Sequence, residues 1–467
     1  MSLLHLNENL GLNPLKTIYP VSLGCAKNRV DTEIMLGLLS QAGWEVVDTP
    51  TEAALLLVNT CGFIAPASQE SIDTILELAA YKQTDPDKRL VVTGCLAQRY
   101  HQELPALVPE VDAWIGVNDF PRIVSILAEL DQGQGSLTIC QGRRYNYTDL
   151  LPRRRTTPFY RAYLKIAEGC SHRCTYCTIP QIRGPFRSRP LDVILQEART
   201  LTAHGVIELT LIAQDTTFYG LDRGHRSQLP ELLRGLGQLP GLRWLRLLYS
   251  HPARITSELL AVMAEHPQIC PYLDIPIQHV NDRLLQHMGR GYSQKVIRET
   301  IARIRQVLPQ AALRTSVIVG FPGETEAQFT ELCQMVEQLG FDHLGVFAFQ
   351  SEDGTPASHY ADQVSSRVAR QRVRKLMALQ GRLVKQRLRT LVGTVQEVLV
   401  EGLSPETELL LSGRLATQAP EVDGQVYITA GMGQIGQIQP VRITEAHTYD
   451  LVGELIDPPQ KGILDKR

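Results

Sequence analysis

The stretch EGCSHRCTYC at residues 168–177 decides the fold that we expect for this chain of 467 residues. Its cysteines, Cys170, Cys174 and Cys177, have the spacing C-x3-C-x2-C and follow an apolar run. Three thiolates can bind three irons of a cubane 4Fe-4S cluster and leave the fourth iron open to another ligand. The alternatives are plain structural cysteines or a zinc site. His172 in the same loop could complete a zinc site, although such sites usually take their four ligands in two pairs. The spacing therefore favours an iron–sulfur cluster.

A second set of three cysteines lies in the amino-terminal region. Cys25, Cys61 and Cys95 each follow a strand-like segment, and helical patterns come next, for example at 31–41 and 68–81. This alternation predicts a parallel sheet. The carboxyl ends of parallel strands face one crevice, so the three cysteines can converge on one ligand. The alternative is three ordinary buried cysteines, since free cysteine is among the most buried residue types.

Both sets of cysteines stand within motifs that resemble those of the methylthiotransferases, a family of the radical-SAM superfamily. These motifs are VSLGCAKN at 21–28 with Asp31, NTCGFI at 59–64, TGC at 93–95, the cysteines of 168–177 with Pro180, and RG at 183–184. The resemblance covers residues 18–455. It implies an amino-terminal cluster domain, a radical-SAM domain and a small carboxyl-terminal TRAM domain.

The resemblance also implies the cofactors and the chemistry: two 4Fe-4S clusters and S-adenosylmethionine. One S-adenosylmethionine would supply a methyl group to sulfur held at the amino-terminal cluster of Cys25, Cys61 and Cys95. A second would be cleaved reductively at the cluster of Cys170, Cys174 and Cys177, giving a radical that takes hydrogen from an unactivated carbon of the substrate. That carbon would then capture the methylthio group. An electron donor protein is implied as a partner, and no side chain is expected to act as a catalyst.

The central region predicts an incomplete barrel of six βα units. Strand-like runs occur at 163–167, 208–213, 244–249, 272–277, 313–319 and 343–349. Amphipathic helical segments separate most of them, at 191–203, 230–239, 257–265, 294–307 and 327–339. The expected fold class is therefore α/β, with a parallel-sheet βα domain, a six-stranded partial βα barrel resembling a TIM barrel, and a small closed β-barrel. In parallel barrels the chemistry gathers at the carboxyl ends of the strands.

Several residues near those strand ends are candidate contacts for S-adenosylmethionine. By resemblance, Tyr176 would contact adenine, and the segment SVIVGFPGE at 316–324 would border the adenosyl group. The full set of candidates is Tyr176, Gln214, Gln278, Arg314, Gly320 and Glu324. The alternative for each is a residue that satisfies loop backbone. His251 and His279 are expected to have structural or substrate-positioning roles, because a radical route needs no such general base.

The carboxyl-terminal region changes character twice. A predicted helix at 367–389 carries many Arg and Lys residues without an acidic one, and is either a solvated face or a surface that binds phosphate of ribosomal RNA. Short strand-like runs then follow at 394–401, 408–411, 425–428 and 437–443. The segment GRLATQAPEVDG at 413–424 resembles the TRAM signature. In the family this module presents the substrate to the radical site.

The residues after the first two cysteines of the amino-terminal set indicate the substrate. AKN at 26–28 and GFI at 62–64 resemble the branch that modifies the β-carbon of an aspartate in ribosomal protein S-twelve, either free or within the small ribosomal subunit. One alternative is the branch that modifies adenosine of transfer RNA. Another is a non-catalytic iron–sulfur or RNA-binding scaffold, which the two complete sets of cysteines argue against.

Composition agrees with a multidomain protein. The expected divisions are a tail at 1–15, the cluster domain at 16–135, a linker at 136–155, the radical-SAM core at 156–384, the TRAM domain at 385–455 and a tail at 456–467. The net charge of −2 excludes a globally basic protein. No apolar run is long enough to span a membrane, and no secretory signal pattern is present. Nine cysteines then indicate the reducing cytoplasm, with Cys140, Cys270 and Cys333 expected to be structural.

Overall fold

A computed structural model describes residues 16–456, except 134, 141, 143, 144, 146 and 405. The predicted tail at 1–15 and nearly all of the tail at 456–467 lie outside the described residues. The chain divides into two compact units. The first contains residues 1–157, 167–193 and 352–355, and the second contains residues 158–166, 194–351 and 356–467.

The elements are numbered along the whole chain. The strands are β1 (Thr17–Ser22), β2 (Glu45–Val46), β3 (Leu55–Thr60), β4 (Arg89–Gly94), β5 (Ala113–Ile115), β6 (Leu137–Ile139), β7 (Arg161–Lys165), β8 (Ala167–Glu168), β9 (Arg187–Ser188), β10 (Glu208–Ile212), β11 (Trp244–Leu247), β12 (Tyr272–Asp274), β13 (Ala312–Val319), β14 (His343–Ala348), β15 (Val395–Ser404), β16 (Thr407–Leu415), β17 (Val426–Ala430), β18 (Ile438–Ala446) and β19 (Leu451–Leu455). The helices are α1 (Ala26–Gln41), α2 (Ala65–Thr84), α3 (Cys95–Arg99), α4 (Leu104–Leu107), α5 (Ile123–Asp131), α6 (Ile179–Arg183), α7 (Leu191–Ala203), α8 (Leu229–Gly237), α9 (Ser257–Glu265), α10 (Asp282–His287), α11 (Gln294–Val307), α12 (Glu326–Leu339) and α13 (Ser366–Arg389).

The first unit is built on a parallel six-stranded sheet in the order β2-β1-β3-β4-β5-β6. The strand β3 is buried along its whole length, which suits the continuous apolar run of a strand that is covered on both faces. The predicted parallel βα sheet is confirmed. The unit also holds the short antiparallel pair β8–β9 and the helix α6, so the loop with Cys170, Cys174 and Cys177 belongs to the same compact unit as the other three cysteines.

The second unit begins with six parallel strands in two groups, β11-β10-β7 and β12-β13-β14. A parallel bridge between Leu245 and Ile269 lies next to the start of β12. The six predicted strands and the intervening helices are all present, with boundaries that differ by at most a few residues. The partial βα barrel that the sequence predicts is therefore confirmed.

The second unit ends in a closed antiparallel and parallel barrel in the order β15-β16-β17-β19-β18. Alternate residues of its strands form one apolar cluster inside the barrel, including Val398, Val426, Val441 and Leu451. The fifth strand, β19, was not predicted. It pairs with β17 in parallel and with β18 in antiparallel orientation, and these pairings close the barrel. The five residues of β19 alone carry no sequence pattern that would predict them.

The segment at 413–424 docks on the amino ends of the strands of the partial barrel. Four hydrogen bonds or ion pairs join the first residue of a strand to this segment: Arg161 to Glu421, Glu208 to Arg414, Tyr272 to Asp423, and His343 to the carbonyl of Thr417. Chemistry in parallel barrels takes place at the opposite, carboxyl ends. This segment therefore anchors the TRAM module to the partial barrel, and the expectation that the module presents substrate stays a prediction.

No helix within the described ranges is long and apolar enough to cross a membrane.

Candidate iron–sulfur site

The cysteines of the amino-terminal set lie at the carboxyl edge of the first sheet. Cys25 caps the amino terminus of α1, Cys61 follows β3, and Cys95 begins α3 directly after β4. Gly24 stands so close to Cys61 that a side-chain Cβ at position 24 would lie 2.8 Å from its Cβ and 3.1 Å from its Sγ. The strands β1, β3 and β4 are neighbours in the sheet, so the fold brings the three thiols together as the sequence predicts.

Two asparagines hold the cysteine loops together. The Asn28 side-chain amide donates to the carbonyls of Leu23 and Thr60, at 3.1 and 2.8 Å. The Asn59 amide donates in return to the carbonyl of Asn28, at 2.8 Å. The loop of Cys25 and the loop of Cys61 are therefore fixed to each other by buried hydrogen bonds. Ser71 adds a further restraint on Cys61, because its hydroxyl pairs with both the backbone N–H and the carbonyl of that cysteine.

The three thiols have different electrostatic surroundings. Burial raises the pKa of Cys61 and raises that of Cys95 to about 11. Desolvation of the Cys25 thiol by the neighbouring groups opposes its ionisation. The positive charges of Lys27 and Arg183 and two backbone N–H groups outweigh this effect, so the pKa of Cys25 is lowered. A helix amino terminus favours a thiolate in the same way. Cys25 is therefore the thiol most readily ionised of the three.

A buried arginine, Arg183, connects the motif around Cys25 with the motif around Cys170. Arg183 donates to Asn28 through Nη2 and to Glu168 through Nη1, the latter at 2.8 Å. Its Nη1 also lies 3.4 Å from Asp31. The Tyr147 hydroxyl contacts the same two carboxylates, at 3.0 Å from Asp31 and 3.2 Å from Glu168. Burial and the nearby carboxylates raise the pKa of Tyr147 well above its usual value, so it acts as a neutral donor.

This network was only partly visible in the sequence. Asn28, Asp31 and Arg183 belong to motifs that the sequence analysis quoted, but their mutual contact was not predicted. Tyr147 carries no motif signal at all. The charge of Arg183 also stabilises the thiolate form of Cys95, with which it shares a hydrogen bond. The arginine thus links the amino-terminal cysteines to the base of the second cysteine loop.

The second cysteine loop is held by backbone hydrogen bonds. The N–H of Cys170 donates to the carbonyl of Gly184, at 3.0 Å, and the N–H of Cys177 donates to the carbonyl of Cys174, at 3.2 Å. Cys170 is buried, whereas Cys174 and Cys177 are half-buried. These bonds fold the loop back on itself, so its three thiols lie on one short turn between β8 and α6.

The two cysteine loops are in contact within the first unit. The hydroxyl of Thr178, the residue after Cys177, lies 3.4 Å from the carbonyl of Phe63 in the Cys61 loop. Ile182 of α6 packs in one small apolar cluster with Cys95 and Val117. The structure therefore places all six predicted cluster cysteines in one compact region.

The donor set fits iron–sulfur clusters better than a single metal ion. No group of three His, Cys, Asp or Glu side chains in the described part of the chain could hold one ion. In a cubane each cysteine binds a different iron, so the thiolates need not surround one point. Soft thiolates are the preferred ligands of such clusters, and the nearby cations Lys27 and Arg183 suit their negative charge.

A buried ion pair next to the Cys61 loop was missed by the sequence analysis. Glu352 accepts a hydrogen bond from the N–H of Ala65, the first residue of α2, at 2.7 Å, and pairs with Arg99 at 2.9 Å. Arg99 also donates to the carbonyl of Gly62, at 3.0 Å. A carboxylate at a helix amino terminus is favourable, and this one also fixes the residues after Cys61.

The candidate contacts for S-adenosylmethionine fall into both units. Tyr176 is half-buried in the first unit, in the second cysteine loop. In the second unit, Gln214 follows β10 and Gln278 follows β12. Gln278 has a left-handed backbone, with φ of 64°, and its N–H donates to the carbonyl of Ser316 at 2.9 Å. A non-glycine residue held in this conformation is uncommon and often marks a functional site.

The remaining three candidates are engaged by protein groups. Arg314 lies 3.5 Å from Asp274 and 3.3 Å from Asp423, near the amino end of β13. Glu324 is buried and pairs with Arg372 at 2.9 Å, and it accepts from the N–H of Gly320. A Cβ on Gly320 would lie 2.5 Å from Ala369 of α13, so that helix requires the glycine.

The two histidines of the barrel are packed in its interior. His279 Nδ1 accepts from the N–H of Asn281, at 3.0 Å, which leaves Nε2 as the donor toward Glu324, at 3.4 Å. His251 packs edge-on against Tyr292, with ring centroids 5.1 Å apart. Of the other cysteines, Cys140 and Cys270 are buried, and burial raises their pKa to about 12 and about 11. These surroundings suit structural roles.

Comparison with known proteins agrees with this architecture. Three family models match successive parts of the chain: uncharacterized protein family UPF0004 at residues 17–116, the radical SAM superfamily at 164–336, and the TRAM domain at 392–456. Among solved structures, the radical S-adenosylmethionine methyltransferase TsrM from Kitasatospora setae covers 82% of this chain and 81% of its own, with a TM-score of 0.58 and 14% identity. That likeness is one of fold. The fold and the cysteines together define a radical-SAM enzyme.

Curated relatives identify the family within that class. The chain is 51% identical over 435 residues to the ribosomal protein uS12 methylthiotransferase RimO of Pelobacter propionicus, covering 93% of this chain and 97% of that protein. It is 50% identical over 444 residues to the protein of the same name from Geobacter sulfurreducens, covering 95% and 99%. The chain therefore belongs to the RimO family of methylthiotransferases.

Proposed function

We propose that this chain is a radical-SAM methylthiotransferase that adds a methylthio group to the β-carbon of an aspartate in ribosomal protein uS12, the S-twelve of the small subunit. The observation that carries the proposal is the placement of two cysteine sets in one compact unit, with their loops in contact at Thr178 and Phe63. The relatives from Pelobacter propionicus and Geobacter sulfurreducens are named as uS12 methylthiotransferases, which supports the assignment of uS12 as the substrate.

Each cysteine set has a separate task in this proposal. Cys25, Cys61 and Cys95 would hold one 4Fe-4S cluster, and Cys170, Cys174 and Cys177 would hold the other. When bound, the second cluster supplies reductive cleavage of S-adenosylmethionine, and the first supplies the site at which sulfur is methylated and transferred. The protein around them fixes both loops through Asn28, Asn59 and Arg183.

The proposal also covers the residues around the cofactor, the electron donor and the domains. Tyr176, Gln214 and Gln278 are the residues that we propose to contact S-adenosylmethionine, whereas Arg314, Gly320 and Glu324 would support the barrel around it. An electron donor protein would reduce the second cluster. Action on a ribosomal protein would place the reaction in the cytoplasm. We retain residues 16–135, 156–384 and 385–455 as the proposed domains.

The proposed function is tested by incubating the anaerobically reconstituted enzyme with S-adenosylmethionine, a reductant, and either free uS12 or small ribosomal subunits. Mass spectrometry should find a methylthio group on one aspartate of uS12, and replacement of that aspartate by alanine should abolish it. Cys333→Ala, outside both cysteine sets, is the matched control and should retain the activity.

Two results would overturn the proposal at different levels. Modification of adenosine in transfer RNA, with uS12 unchanged, would move the chain to the other branch of the family. Absence of 5′-deoxyadenosine from a preparation with full iron content would favour the scaffold alternative.

A further inference from the structure

One face of α13 carries a row of six basic side chains, three in the first half of the helix and three in the second. The row is Arg367, Arg370, Arg374, Arg382, Lys385 and Arg389, which we call the basic row. Successive members are three, four or eight residues apart, and with 3.6 residues per turn all six positions fall within about 120° of the helix circumference. At 1.5 Å per residue the row is about 33 Å long. The opposite face, with Ala369, Leu376 and Val384, is buried.

The basic row differs from the other cations of the same helix. Arg372 pairs with Glu324 at 2.9 Å, Lys375 with Glu326 at 3.5 Å, and Arg387 with Asp342 at 2.7 Å. Within the described residues, no carboxylate forms an ion pair with any member of the basic row. Glu324, Glu326 and Asp342 are therefore paired with cations outside the row.

An exposed aromatic residue lies beside the middle of the row. Gly381 of α13 occurs one residue before Arg382, and a Cβ at that position would lie 3.2 Å from Cγ2 of Thr448 and 3.4 Å from the hydroxyl of Tyr449. These two residues form the turn between β18 and β19 of the TRAM barrel. Tyr449 is 39% exposed. The glycine thus lets the TRAM module place an exposed aromatic ring against the basic helix.

We propose that the basic row and Tyr449 form a binding surface for the phosphate backbone of double-stranded RNA. This inference deepens the proposed function and rests on it, because a ribosomal protein in an assembled subunit is surrounded by folded RNA. The row is about 33 Å long and none of its cations has an ion pair among the described residues, so it can contact several phosphates of one duplex. Arginine suits phosphate because its planar fork can donate two hydrogen bonds to one group.

The proposed surface also identifies the part of the TRAM module that would contact RNA. The segment at 413–424 is engaged with the amino ends of the barrel strands, including the pair of Arg414 and Glu208 at 2.6 Å. The turn with Tyr449 lies on another part of the module, next to Gly381 of α13. Double-stranded RNA is recognised mainly by its shape and phosphates, so no base-reading side chain is required.

The test uses the reconstituted full chain and a fluorescent RNA duplex of about 16 base pairs, the length that a double-stranded-RNA-binding domain spans. Fluorescence anisotropy should show binding that weakens as salt rises. Arg374→Gln/Arg382→Gln should weaken binding by about tenfold at moderate salt and lower the salt slope by roughly 2, one for each lost phosphate contact. Arg387→Gln is the matched control, because that cation is paired with Asp342, and it should change binding less than twofold.

A second variant tests the aromatic contact. Tyr449→Ala should weaken binding a few-fold by removing a contact to the sugar-phosphate backbone, and should leave the salt slope unchanged because the phenol carries no charge. Equal binding of the duplex by the wild type and by Arg374→Gln/Arg382→Gln would overturn the inference. Stronger binding to vesicles that contain phosphatidylserine, or to polyglutamate, than to the duplex would also overturn it.

Activity assays test the proposed function independently of RNA binding. Arg374→Gln/Arg382→Gln should methylthiolate free uS12 as the wild type does, and should lose the advantage that RNA-containing subunits give at low salt. If the wild type modifies neither free uS12 nor uS12 in the subunit, the proposed function is wrong. The anisotropy measurement still tests whether the basic row binds the RNA duplex.

Discussion

At the scale of single residues, Arg183 is the group on which the site depends most. It is buried, donates to Asn28 and Glu168, and places its positive charge next to Cys95 and Cys25. Hydrogen bonds and net charge near a cluster set its reduction potential. The arginine would therefore make the amino-terminal cluster easier to reduce.

Replacement of Arg183 should change the electronic properties of that cluster. Arg183→Gln should lower the midpoint potential of the amino-terminal cluster by on the order of tens of millivolts, as measured by redox titration with electron paramagnetic resonance. Arg173→Gln, an exposed arginine in the second cysteine loop, is the control and should change that potential little. A potential unchanged in Arg183→Gln, with both clusters present, would show that the arginine is only structural.

The different pKa values of the thiols predict an order of reaction in protein freed of iron. The pKa of Cys25 is lowered and its side chain is exposed, so it should be the first of the three thiols to react with iodoacetamide as the pH is raised. Burial raises the pKa of Cys95 to about 11, so its reaction should require a pH well above 9. Peptide mass spectrometry over a pH series measures the order. Faster labelling of Cys95 than of Cys25 at pH 7 would contradict it.

At the scale of elements, the segment at 352–355 fixes the start of α2. Glu352→Gln should lower the free energy of unfolding by about 3–5 kcal/mol, because Arg99 would be left buried without its partner. Urea unfolding of the cluster-loaded chain measures the change. Asp353→Asn, at an exposed neighbouring position, is the control and should be nearly neutral. Equal stability of the two variants would show that the ion pair contributes little.

The elements also show how far the sequence could predict the structure. The helices of the partial barrel were predictable because their apolar residues recur with helical spacing, as in α7 and α11. The strand β19 was not, since its identity as a strand depends on pairing with β17 and β18. Short strands that form only through distant partners give no periodic signal of their own.

The candidate site shows the same limit. The six cysteines were predictable because their spacing and their positions after strands carry the signal. Tyr147 and Glu352 were not, because each acts through a contact with residues distant in the sequence, such as Asp31 and Arg99. A buried polar network is a property of the folded chain, and single positions within it resemble ordinary polar residues.

At the scale of the whole molecule, a buried charge cluster joins the TRAM barrel to the partial barrel within the second unit. Arg414 pairs with Glu208 at 2.6 Å and with Glu401 at 2.8 Å, and Arg246 pairs with Glu208 at 3.0 Å. Burial opposes ionisation of Glu208, but the two arginines outweigh it and lower its pKa from 4.5 to about 2. The carboxylate is therefore charged throughout the ordinary pH range.

This lowered pKa predicts how stability depends on pH. Because the folded pKa is below the unfolded one, the contribution of Glu208 is fully present above pH 4.5 and is lost as pH falls toward 2. Glu208→Gln should cost about 3–5 kcal/mol at pH 7, since two buried arginines lose the carboxylate that they share and only Arg414 keeps a second one, Glu401. Its free energy of unfolding should also fall less steeply than that of the wild type between pH 4.5 and 2.

Chemical unfolding at several pH values measures both effects. Glu445→Gln, at an exposed position of β18, is the control for a carboxylate that the cluster does not use. Parallel pH profiles for the wild type and Glu208→Gln would contradict the prediction.

The central claim is that the two cysteine sets have different chemical tasks. The most direct test compares the products that enzymes lacking one or the other set can form. Reconstituted Cys174→Ala and Cys61→Ala enzymes are each incubated with S-adenosylmethionine, a reductant and uS12, and 5′-deoxyadenosine and methylthio-aspartate are both quantified. We predict that Cys174→Ala forms neither product, whereas Cys61→Ala forms 5′-deoxyadenosine without methylthio-aspartate. Normal methylthiolation by Cys61→Ala would contradict the account, because the amino-terminal cysteines would then be structural.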